Sequence, residues 1–115
     1  MNVRGLISAC LGIGSFALVL SLAAPDAAAQ KAGDAEKGKE VFEQCGVCHN
    51  ADSEEKKMGP GLKGLFKKAK MMNGKKPTEE NVRAIVNAGG NGMPGYADLL
   101  SDEERDNLIA YLKTL

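Results

Sequence analysis

Two cysteines and the chain's only histidine fall within five residues, Cys45-Gly46-Val47-Cys48-His49. No other stretch concentrates so much chemistry, and these side chains must share a partner or be buried together. The rest of the chain offers little to bury. Beyond residue 29 the only aromatics are Phe42, Phe66, Tyr96 and Tyr111, and there is no tryptophan. A chain of 115 residues makes one small domain. Domains of that size commonly need a disulfide, a metal or another non-protein element to complete the core.

The domain is smaller still if the N-terminus is removed. Arg4 provides a positive start, residues 5–24 form an uncharged apolar run, and Ala27-Ala28-Ala29 supplies the small residues that a signal peptidase needs before Gln30. Residues 1–29 therefore read as a cleavable secretion signal and residues 30–115 as the domain. An uncleaved membrane anchor is the alternative, since the run is about 20 residues long. Cys10 precedes the apolar stretch instead of following it, which argues against a lipoprotein site. The expected location is the periplasm or another exported compartment, without membrane insertion after cleavage. Cleavage takes Arg4 and Asp26 from 15 basic and 15 acidic residues, so the mature chain stays neutral. That balance excludes bulk nucleic-acid binding, which needs a basic surface. The charges are segregated nonetheless. Lys56, Lys57, Lys63, Lys67, Lys68, Lys70, Lys75 and Lys76 share one stretch without an acid, while Asp102, Glu103, Glu104 and Asp106 cluster near the C-terminus.

Periodicity predicts helices and no strand, an all-α fold. Asp34 is placed to cap a helix whose Ala35, Gly38, Val41, Phe42 and Cys45 share a face. Thr78 is placed to cap a second, with Val82, Ile85, Val86 and Gly89 at helical spacing and Gly89-Gly90 ending it. Ser101 and Glu104 have the spacing of a capping box before a third, with a predicted buried face of Leu108, Tyr111, Leu112 and Leu115. Residues 50–77 and 90–100 carry breakers at Gly59-Pro60-Gly61, Asn73-Gly74, Pro77, Asn91-Gly92 and Pro94-Gly95. Loops this long in so small a domain are expected to wrap something functional. Gly59-x-Gly61-x-x-Gly64 matches a dinucleotide-binding spacing only by letter, because no strand precedes it and Pro60 lacks an amide hydrogen.

Against this helical background the cysteine motif can be weighed. A structural zinc site needs four ligands, and the mature chain has only Cys45, Cys48 and His49 close together. A thioredoxin-like pair needs strands around it, and a bare thiol pair leaves the adjacent histidine unexplained. Cys-x-x-Cys-His is the attachment signature of c-type haem. Cysteines three apart on a helical turn face the same way and reach both vinyl groups, and His49 is carried over the iron.

Cys45-Gly46-Val47-Cys48-His49, then Gly59-Pro60-Gly61-Leu62-Lys63-Gly64-Leu65-Phe66, then Gly92-Met93-Pro94 before a C-terminal helix, resembles the small class I bacterial cytochromes c. The resemblance implies the cytochrome c fold. Three to four short helices with long loops would wrap one covalent haem c, with terminal helices crossing at Gly38, Phe42 and Tyr111. It implies a soluble, non-enzymatic, monomeric one-electron carrier between respiratory or dehydrogenase partners. Cys45 and Cys48 would form the thioethers, His49 and Met93 the axial iron ligands, and the Pro60 carbonyl would accept the His49 Nδ1 hydrogen. Met58 lies too near His49 in sequence to reach the opposite face easily, and Met71 and Met72 have the alternative role of gap fillers or surface residues. The lysines of residues 56–76 would steer the chain to acidic redox partners, or serve only solubility. The tryptophan that the mitochondrial branch places near a haem propionate is missing here, leaving Lys68, Lys70, Asn73 and Lys75 as candidates. Two other readings stay open: an electron-transfer subunit fixed in a larger redox complex, and a haem protein whose labile distal site binds gas or peroxide.

Overall fold

The computed structural model describes residues 32–115, so the expected signal at residues 1–29 lies outside the described residues. Three α-helices, α1 (Ala35–Phe42), α2 (Glu79–Ala88) and α3 (Asp102–Leu112), are joined by loops containing one 3₁₀ turn, Leu65–Lys67. Among the described residues there is no strand, only an isolated bridge between Gly90 and Met93. No described helix is long and apolar enough to cross a membrane.

Each helix begins where a side chain satisfies its free amides. Asp34 accepts from the Glu36 and Lys37 amides, and Thr78 from the Asn81 amide. Ser101 and Glu104 form the reciprocal capping box. Replacing such a cap by alanine typically costs about 1 kcal/mol. α2 stops at Gly89, whose φ of 65° suits glycine.

The terminal helices cross closely because Gly38 has no side chain. A methyl group there would overlap the Asn107 carbonyl oxygen and lie 2.8 Å from Tyr111 Cβ. Phe42 and Tyr111 stack obliquely at the same crossing, with centroids 5.3 Å apart and planes at 55°, a favourable aromatic geometry. Asn107 is buried as well, and its Oδ1 accepts the Asp34 amide at 2.7 Å. The crossing implied by the family resemblance is thus the centre of the fold.

Phe42, Leu65, Val82, Val86, Leu100, Leu108, Ile109 and Leu112 form the buried apolar cluster. The face of α3 differs from its sequence reading. Ile109 and Asn107 are buried, whereas Tyr111 and Leu115 are only half-buried. α3 has neighbours on several sides, so a single stripe understates what it buries. Two ion pairs, Arg83 with Asp106 and Lys113 with Glu79, fasten α2 to α3.

Candidate haem site

α1 ends at Phe42, and the chain continues in turns that aim the cysteine motif. The Gly46 amide donates to the Phe42 carbonyl at 2.9 Å and the His49 amide to the Cys45 carbonyl at 3.0 Å, so residues 45–49 wind through a helical turn. Both cysteines are unpaired and half-buried. Burial, and secondarily the neighbouring Cys48, push the Cys45 thiol above its ordinary pKa.

The loop after the motif folds back onto the imidazole. The Gly59 amide donates to the Cys48 carbonyl at 2.9 Å and the Leu62 amide to the Asn50 carbonyl at 2.7 Å. His49 Nδ1 consequently lies 2.8 Å from the Pro60 carbonyl oxygen. Since that oxygen only accepts, Nδ1 carries the hydrogen, and in the neutral imidazole Nε2 is then the nitrogen with the lone pair. A Cβ at Gly59 would overlap His49 Cε1 and sit 2.7 Å from Nδ1 and 2.9 Å from Nε2, so only glycine lets the backbone lie against the imidazole.

These residues fit a covalent haem on the structure's own terms. Two free thiols share a turn with an imidazole whose outer nitrogen is tied back. Nε2 has no hydrogen-bond partner among the described residues.

The methionines separate by environment. Met58 and Met72 are 81% and 77% exposed, and Met58 Sδ lies 3.9 Å from Cys48 Sγ, beside the motif itself. Met71 packs against the apolar cluster. Met93 is half-buried and stands outside that cluster. It closes a tight turn in which the Gly90 amide donates to the Met93 carbonyl at 2.9 Å and the Met93 amide to the Gly90 carbonyl at 3.1 Å. Asn91 and Gly92 both have positive φ, 54° and 88°, the Asn-Gly hairpin preference.

Tyr96, three residues beyond Met93, packs against the apolar cluster, and burial first, then Cys45 and Cys48, push its hydroxyl above its ordinary pKa. Sequence reading did not single out Tyr96. Its place after Met-Pro-Gly was the available signal.

Of the eight lysines, Lys68 is set apart. It is half-buried, 3.7 Å from Glu54, and donates to the Gly61 carbonyl at 3.4 Å. Lys57 reaches the Gly46 carbonyl at 3.0 Å. Lys56, Lys57, Lys63, Lys67, Lys70, Lys75 and Lys76 are exposed. The acids near the C-terminus are mostly paired, Asp102 with Arg105, Asp106 with Arg83 and Glu103 with Lys37.

The cytochrome c family model matches residues 35–115. Cytochrome c2 of Blastochloris viridis is 35% identical over 120 residues, covering 90% of this chain and 91% of that protein. Cytochrome c2 of Agrobacterium tumefaciens (strain II Chrys) is 31% identical over 103 residues, covering 70% of this chain and 90% of the relative. A family match spanning nearly every described residue, around this arrangement of thiols and imidazole, means that the chain belongs to the cytochrome c family and is a class I c-type cytochrome, an electron carrier with covalently bound haem c.

Proposed function

We propose that the chain is an exported, monomeric, diffusing one-electron carrier in which Cys45 and Cys48 hold the haem and His49 and Met93 are its axial ligands. The observation that carries this reading is the His49 environment. Its Nδ1 is engaged by the Pro60 carbonyl at 2.8 Å, and Gly59 leaves room for the ring to be held there. Such a bond fixes the tautomer, orients the ring and makes Nε2 a better ligand.

When bound, the haem supplies the one-electron iron couple. The protein's own contribution is to hold both ligands so that little has to move when an electron arrives. Met93 suits the distal role because its turn fixes the backbone and because its side chain, unlike that of Met71, is not used in the apolar cluster. A His/Met pair raises the iron potential. Cleavage after residue 29 would release the domain, which N-terminal sequencing of the exported protein checks by finding Gln30 first.

The weak sulfur-to-iron band of the oxidised protein tests the ligand assignment. Met93→Ala is expected to abolish it and to admit cyanide rapidly, while Met71→Ala and Met72→Ala keep it. A band that survives Met93→Ala refutes the assignment.

A further inference from the structure

We infer that Arg105 is the positioning residue that keeps the Met93 segment seated, an inference that rests on Met93 as the sixth ligand. The chain that follows Met93 is laid along the C-terminal end of α2. There the Tyr96 amide donates to the Val86 carbonyl at 2.9 Å and the Ala97 amide to the Asn87 carbonyl at 3.4 Å. Gly89 and Gly95 make this approach possible, since a Cβ on Gly89 would lie 2.7 Å from the Gly95 nitrogen.

Those backbone bonds alone would leave the segment attached to one helix end. Arg105 adds a tie from α3. Its Nη1 donates to the Ala97 carbonyl at 2.7 Å and to Asn87 Oδ1 at 3.3 Å, while Nη2 holds Asp102. One guanidinium therefore joins the ligand segment, α2 and the first turn of α3. The side chain is only 12% exposed, and its Nε is buried without a partner. The Asp102 side chain is 92% exposed, so the ion pair is the weakly held arm, whereas the bond to Asn87 is part-buried. A planar fork serves these partners together, whereas a lysine ammonium is a point donor on a flexible stem. The cation also faces the C-terminal end of α2, where positive charge is favoured.

The consequence concerns ligand exchange. For an external base to reach the iron, Met93 must leave, and its segment must loosen from α2. Removing Arg105 takes away the only side-chain tie on Ala97 among the described residues and makes that loosening easier.

The test uses the oxidised holoprotein and imidazole as the entering ligand. The observed rate at saturating imidazole reports how often the segment opens. Arg105→Gln is expected to raise that limiting rate at least about tenfold, Arg105→Lys less, and Asn87→Ala in the same direction by a smaller factor. Arg83→Gln is the control. It breaks the Asp106 pair between the same two helices and is expected to lower Tm without moving the rate. Rates that rise equally in Arg105→Gln and Arg83→Gln, in step with lost Tm, reduce Arg105 to a general stabiliser and overturn the inference. So does an unchanged rate in Arg105→Gln. If Arg105→Gln does not fold, Asn87→Ala decides by the same criterion. A wild type without the sulfur-to-iron band fails the Met93 reading itself, and the inference with it. A wild type that shows the band while the rates stay put fails the inference alone.

Discussion

Gly38 and Gly59 have the same steric duty in two regions that are otherwise held together differently. At Gly38 the absent side chain lets one helix backbone touch another, and around it Phe42, Tyr111, Leu108 and Asn107 complete a contact made of protein alone. At Gly59 it lets a loop touch an imidazole. The loop region beyond contributes only Leu65 to the fully buried cluster, with Cys45, Ala51, Leu62, Phe66 and Met71 packed half-buried against it. Its order comes from turn hydrogen bonds such as Met71 amide to Lys75 carbonyl at 2.8 Å and Gly74 amide to Met71 carbonyl at 2.9 Å. Bonds of that kind are worth about 0.5–1.5 kcal/mol each at best, comparable with the backbone entropy of ordering one residue. The helix crossing is a core, and the loops are a wrapping that needs contents.

The harshest way to test that contrast is to remove the contents. Cys45→Ala with Cys48→Ala is expected to yield haem-free protein without a cooperative thermal transition, because the small helical core is insufficient for the whole domain. Residual helical circular dichroism would be low and would melt gradually. A cooperative transition with near-native helicity in that variant would show that the wrapping holds itself.

The next effect separates the two glycines. Gly38→Ala forces a methyl group against backbone that cannot rotate away, and is expected to cost about 3 kcal/mol. For a domain this small that lowers Tm by roughly 12–24 °C, with the haem spectrum unchanged. Gly59→Ala is expected to do the reverse, shifting the haem spectrum and weakening His49 ligation while costing less in Tm. Thermal melts and spectra of the two variants check this, and equal spectral shifts would erase the distinction between the regions.

The same division explains what could be read from the chain before folding. Asp34, Thr78 and the Ser101 and Glu104 pair act on amides two or three residues away, so the helix starts were legible. The cysteine and histidine motif is equally local. Asn107 was missed because the Asp34 amide and Gly38, which meet it, lie far off in sequence, and Ile109 because the cluster it joins is drawn from several elements. Arg105 was missed for the same reason, since its partners Asn87 and Ala97 lie on other elements. The four methionines could be ranked by order but not by environment, which only the fold supplies. Likewise the lysine run lacked acids in sequence, yet Glu54, just before it, approaches Lys68 in space.

That last point sharpens the contrast electrostatically. Exposed lysines lie in the loop region, while the acids of α3 are largely paired. If the loop face receives acidic redox partners, Lys67→Glu with Lys70→Glu should slow bimolecular electron transfer roughly tenfold at low salt. The difference should vanish as ionic strength rises and the screening length falls below about 8 Å. Stopped-flow rates against ionic strength measure it, and a salt-independent wild-type rate would leave the lysines with solubility alone.

The smallest effect lies at the start of α3 and should leave the loop region untouched. The Ser101 amide donates to Glu104 Oε2 at 2.8 Å, and the Ser101 hydroxyl accepts the Glu104 amide at 3.2 Å. The backbone bond first, and the Ser101 side chain second, hold the Glu104 carboxyl below its ordinary pKa. A carboxyl whose folded pKa is depressed binds fewer protons folded than unfolded. Its contribution is therefore present in full above the unfolded value of about 4.3 and is lost as pH falls through the lower folded value. Glu104→Gln keeps the side chain's reach to the Ser101 amide but cannot titrate. The gap in Tm between wild type and Glu104→Gln should be constant above about pH 5 and shrink below it, while the haem spectrum of both proteins stays the same over the pH range in which the wild type remains folded. Ser101→Ala, which removes the accepting hydroxyl, should lower Tm by the equivalent of about 1 kcal/mol above about pH 5 and by less on acidification, because part of the Ser101 contribution acts on the ionised Glu104 carboxylate. A gap that widened on acidification would mean that the Glu104 carboxylate is not stabilised by the capping box. A spectral change accompanying it would mean that the helix end and the haem wrapping are coupled after all.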